Sequence, residues 1–70
     1  MTYRIVWIDD DVDLLIGMRA VLASQFDCAT ATTVEEGIKQ LRETPTDLVL
    51  LDINIGSNNG LEALRDIKAL

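Results

Sequence analysis

Arg4-Ile5-Val6-Trp7-Ile8 is a β-branched and aromatic run closed by Asp9-Asp10-Asp11, and it predicts a buried strand over about 4–8. The apolar period then changes. Leu14, Leu15, Met18, Val21 and Leu22 recur at three- and four-residue spacing, which predicts a helix over about 12–24 with one apolar face and Asp11 as its cap. Phe26 to Ala31 reads as a second strand, over about 26–31. Thr33-Val34-Glu35-Glu36 matches a capping box and opens a helix over about 34–43. Ile38 and Leu41 supply its inward face, and Pro45 prevents its continuation.

Leu48-Val49-Leu50-Leu51 is an unbroken apolar run between Asp47 and Asp52. Without alternation both faces should be covered, which predicts a central parallel strand over about 47–52. Ile53 to Gly60 reads as a loop rich in Asn and Gly. Asn59-Gly60 alone would suggest a hairpin turn. Leu61, Ala63, Leu64, Ile67 and Leu70 follow at helical spacing instead, so a third helix is expected over about 60–69. The order β-α-β-α-β-α means an α/β fold, a parallel sheet with right-handed crossovers placing helices on both faces. Residues 1–70 are read as one domain with no repeat or linker.

The net charge of −6 disfavours direct binding to nucleic acid or to an anionic membrane and suits a cation or a basic partner. No apolar run is long enough to span a bilayer, and the start shows no signal peptide. A single cysteine, Cys28, excludes an internal disulfide and points to a reducing compartment. With no His to activate it, Cys28 reads as a small buried hydrophobe.

Parallel strands end at the same edge of their sheet. Asp9 and Asp10 end the first strand and Asp52 ends the third, so neighbouring strands would bring three carboxylates into one crevice. Close carboxylates repel, which favours a proton or a bound cation, and oxygen ligands suit a hard divalent ion. A lone acid at a strand end is more often a solvated turn or a helix cap, the reading given to Asp11 and Asp13. Two acid-bearing strand ends tip the balance toward a site.

Ile8-Asp9-Asp10-Asp11, Thr30-Ala31 before a capped helix, and Asp47-Leu48-Val49-Leu50-Leu51-Asp52-Ile53-Asn54 running into Gly60-Leu61 together resemble the receiver domain of two-component response regulators. The resemblance covers essentially the whole chain. It implies a flavodoxin-like fold with strand order 2-1-3, here truncated to β-α-β-α-β-α. It implies Asp52 as phosphoacceptor, with a phosphohistidine on a sensor histidine kinase or phosphotransfer protein as donor. It also implies Mg2+ (or Mn2+) held directly by Asp10, through water by Asp9, and by Asp52 and the main-chain carbonyl of Asn54. The location implied is cytoplasmic. Receiver domains assist their own phosphorylation and dephosphorylation without being independent enzymes.

The chain departs from that pattern in places. Gly56 stands where the family usually has Pro and Asn59 where it often has Asp, which implies a more mobile loop. The fourth strand's Ser/Thr and the fifth strand's Lys have no counterpart, so the chain reads as a fragment of a longer regulator or a truncated form. As it stands, the third strand would be an edge, and two copies could pair through Leu48, Val49, Leu50 and Leu51. A non-switching, self-associating fragment is therefore one alternative. An aspartate-nucleophile phosphatase is another, disfavoured because Asn54 occupies the position of its general acid.

Overall fold

The computed structural model describes residues 2–52, 55 and 60–70. Their elements alternate as the hydrophobic pattern predicts: β1 (Arg4–Ile8), α1 (Val12–Leu22), β2 (Asp27–Ala31), α2 (Val34–Glu43), β3 (Leu48–Leu51) and α3 (Gly60–Lys68). Observed ends lie within two residues of those expected. The caps explain the starts. Asp11 accepts a hydrogen bond from the Leu14 N–H at 3.0 Å, and Thr33 Oγ1 accepts from the Glu36 N–H at 3.1 Å.

The three strands form one sheet in the order β2-β1-β3. Both pairings are parallel, with Val6 opposite Ala29 and Val49, and Ile8 opposite Ala31 and Leu51. At the edge where the strands begin, the Arg4 guanidinium donates to Asp27 Oδ2 at 3.0 Å, while the Arg4 N–H donates to Asp47 Oδ2 at 2.8 Å. One residue thus ties the central strand to both neighbours.

Alternate strand residues face opposite sides. Val6, Ile8 and Ala31 join Val34 of α2, Ala63 of α3 and Ile55 in the main core, with Val49, Leu51, Ile38, Leu41 and Ile67 packed around it. On the other side Ile5, Cys28 and Leu15 are buried. Each fully buried aliphatic side chain contributes about 1.5–3 kcal/mol. Ile8, Ile55 and Val6 are the largest of these, so the deepest burial lies at and beside the strand ends.

The burial expected of α1 needs correction. The five-residue apolar face expected of α1 is not buried as a unit: Leu15 is buried, Met18 and Leu22 are half-buried, and Leu14 and Val21 are exposed. The helix lies over β2 and reaches the sheet mainly through Leu15, so most of its apolar stripe has no surface beneath it. The unbroken apolar run of β3 implies cover on both faces, while the expected 2-1-3 order leaves the strand at an edge, and the edge is what is found. Val49, Leu50 and Leu51 are half-buried and Leu48 is 50% exposed, because among the described strands β3 is an edge of the sheet. In α3 the inward residues are Ala63 and Ile67, while Leu61, Leu64 and Leu70 are exposed.

Candidate functional site

The parallel ladder continues one residue past each strand. The Asp9 N–H donates to the Ala31 carbonyl and the Asp52 N–H to the Ile8 carbonyl, both at 3.0 Å. These bonds hold the backbone of Asp9 and Asp52 in strand register. Their side chains therefore emerge at the C-terminal edge of the sheet, where β1 passes into α1 and β3 ends.

Asp9, Asp10 and Asp52 come together there. One carboxylate oxygen from each lies within 4.8 Å of the others. The three differ in setting: Asp9 is buried at 8% exposure, Asp52 is half-buried and Asp10 is exposed. Asp9 Oδ1 accepts from the Asp11 N–H at 3.0 Å, and Asp11 in turn caps α1. That chain of bonds orients Asp9 from the first turn of the helix and turns the backbone so that Asp10 projects outward. The residue read as a cap thus also braces the site.

The donor set fits a hard divalent cation. All three donors are carboxylate oxygens, and Asp9 keeps a second oxygen besides the one that accepts from Asp11. Magnesium takes oxygen ligands, one or two of them carboxylates, and this donor set meets that requirement. Asn54 and the loop departures at Gly56 and Asn59 lie outside the described residues. Thr30 is half-buried in β2, and its carbonyl accepts from Gln40 Nε2 at 2.9 Å, joining β2 to α2.

Sequence reasoning missed Ile55. It was placed in a polar loop, yet it is buried at 2% and belongs to the main core. Isoleucines at 53 and 55 among Asn and Gly were the available signal.

Residues 5–70 match the family model described as the response regulator receiver domain. Among curated relatives, the transcriptional regulatory protein ZraR of Escherichia coli K12 is 33% identical over 67 residues, covering 94% of this chain and 15% of ZraR. The DNA-binding response regulator MtrA of Mycobacterium leprae is 34% identical over 70 residues, covering 99% of this chain and 31% of MtrA. The chain therefore spans less than a third of either relative. Among solved structures, the signal receiver domain of a protein described as a Luxo repressor, from Vibrio parahaemolyticus, superposes with a TM-score of 0.85 at 18% identity. That match covers 99% of this chain and 54% of the other. A mutant response regulator MaeR bound to sulfate superposes with a TM-score of 0.84 at 26% identity, over 99% of this chain and 59% of MaeR.

Proposed function

Because the chain belongs to the response regulator receiver family, we propose that Asp52 is its phosphoacceptor and that Asp9, Asp10 and Asp52 hold a magnesium ion beside it. The convergence of these carboxylates within 4.8 Å at one sheet edge is the observation that carries the reading. Response regulators receive their phosphoryl group from histidine kinases. This chain has no His and so supplies no donor of that kind itself.

A carboxylate is a competent nucleophile toward a phosphoryl group. An Asp52 oxygen attacks phosphorus in line with the donor's phosphorus–nitrogen bond. The new oxygen–phosphorus bond forms as the old one breaks, and the imidazole leaves with the electron pair and takes up a proton. Such transfer depends on positioning and on charge neutralisation. The ladder bond from the Asp52 N–H to Ile8 supplies part of the positioning by fixing the nucleophile's backbone. A magnesium ion held by these carboxylates would supply charge neutralisation at the phosphoryl oxygens. Asp10, exposed at the rim, is assigned as a direct ligand, buried Asp9 as a ligand through water, and Asn54 as a main-chain carbonyl ligand.

The reaction is assigned to the cytoplasm. No helix of the described residues is long and apolar enough to cross a membrane. The test is labelling of the whole protein that carries this chain with acetyl phosphate and magnesium. Labelling is expected, with loss on Asp52→Asn. A variant that labels like the parent contradicts the assignment.

A second reading concerns a polypeptide of these 70 residues alone. β3 is the sheet edge among the described strands, with Leu48 half exposed. An apolar edge strand is a template for pairing. Two copies joined antiparallel through Leu48, Val49, Leu50 and Leu51 form a continuous sheet about a two-fold axis.

A further inference from the structure

Gly37 lies inside α2, where glycine is less favourable than alanine because it loses more backbone freedom on folding. The reason for it stands across the helix–sheet interface. A Cβ placed on Gly37 would lie 2.6 Å from Ile8 Cγ1 and closer still to Ile8 Cδ1. The far methyl of an isoleucine can turn aside, but Cγ1 sits on a β-branched carbon with few allowed rotamers. Ile8 is also fully buried at 0% exposure, so it has no free space to turn into. Gly17 of α1 behaves differently: a Cβ there would meet nothing within 4 Å.

Ile8 is the residue from which the acidic site hangs. Its carbonyl accepts the Asp52 N–H, and Asp9 and Asp10 follow it directly. A movement of the Ile8 backbone therefore moves Asp9 and Asp10 and disturbs the bond that registers Asp52. We infer that Gly37 is a positioning residue for the acidic site, a role that rests on the reading of Asp9, Asp10 and Asp52 as one metal and phosphoryl centre. Its missing side chain lets α2 close on Ile8, and the seat of Ile8 sets the spacing between the carboxylates of β1 and β3. Gly37 acts only through Ile8. A methyl group added at this contact is absorbed by side-chain and backbone shifts, as overpacked cores generally respond. Alanine is a better helix former than glycine, so the displacement does not come from loss of α2.

The test uses Gly37→Ala in the whole protein that carries this chain, with Gly17→Ala as control. The first readout is the amide NMR signals and hydrogen exchange of Asp9 and Asp52, which report backbone placement with or without metal. The second is manganese affinity by titration calorimetry. In Gly37→Ala both amide signals should shift, the Asp52 N–H should exchange faster, and manganese should bind about 10-fold more weakly, the scale seen when supporting groups around metal ligands are altered. Adding Ile8→Ala, which removes Cγ1 and Cδ1 together, should recover at least part of that affinity. Gly17→Ala should change none of these. Unchanged Asp9 and Asp52 amides in Gly37→Ala overturn the inference, as does an affinity loss that Ile8→Ala leaves untouched. If the parent binds no manganese, the metal reading fails by itself, and the amide signals still decide whether Gly37 positions the site.

Discussion

Asp10→Asn removes one of three negative charges whose oxygens lie within 4.8 Å of one another while keeping the side chain's size and an oxygen acceptor. Two unit charges at that distance repel by about 0.9 kcal/mol in a water-like medium and about 3.5 kcal/mol at an effective dielectric of 20. Asp10 is exposed, so the water-like figure applies. It has two such neighbours, Asp9 and Asp52, and a Debye length of about 8 Å at physiological ionic strength roughly halves the sum. Without divalent ions, the variant should therefore be more stable than the parent by about 1 kcal/mol. Magnesium should reverse the order. At ten times its dissociation constant it stabilises the parent by about 1.4 kcal/mol, whereas the variant, lacking a direct ligand, should gain far less. Urea unfolding in EDTA and in excess magnesium measures both effects. A variant no more stable than the parent in EDTA refutes the repulsion. A variant that gains as much from magnesium as the parent refutes the placement of the ion.

Gly17→Ala, with open space around its Cβ, should raise stability by about 0.5–1 kcal/mol through helix propensity, read from the urea midpoint; an unchanged or lowered midpoint contradicts this. Cys28 is buried, and desolvation raises its thiol pKa, with Arg19 opposing and Asp27 reinforcing the rise. The folded chain therefore keeps the thiol protonated at a pH where the unfolded chain forms thiolate, and the stability this contributes is lost as pH rises through the raised pKa. Iodoacetamide at pH 8 should alkylate folded protein much more slowly than protein in urea, and equal rates would contradict the burial. A polypeptide of residues 1–70 should sediment as a dimer at micromolar concentration and lose that association on Val49→Pro, which removes a ladder donor at the sheet edge. A stable monomer, or a dimer indifferent to Val49→Pro, rules out pairing through β3.

The elements were legible because their signals are local. The change from the continuous run at Arg4–Ile8 to three- and four-residue spacing after Asp11 marks a strand and then a helix, and Asp11 and Thr33 cap where side-chain chemistry places them. The acidic cluster was legible because parallel strands share a C-terminal edge, so acids at the ends of β1 and β3 meet once the strands are neighbours. Burial was harder to read because it depends on what lies opposite. Leu14 and Val21 continue the helical period of α1 but find no surface to cover, and the run Leu48 to Leu51 signals a covered strand although the expected 2-1-3 order rightly puts β3 at an edge. Ile55 was legible only as an apolar residue in a polar loop, and Gly37 not at all. The burial of one and the close approach of the other come from segments distant in sequence.

The central claim is that Asp52 accepts the phosphoryl group at this acidic edge. The most direct measurement is borohydride trapping of the phosphorylated whole protein, followed by peptide mass mapping, because borohydride reduces an acyl phosphate and marks the residue that carried it. The account predicts that the reduction falls on Asp52, requires magnesium, and disappears in Asp52→Asn. Reduction at Asp9, Asp10 or any other carboxylate of the parent protein contradicts it.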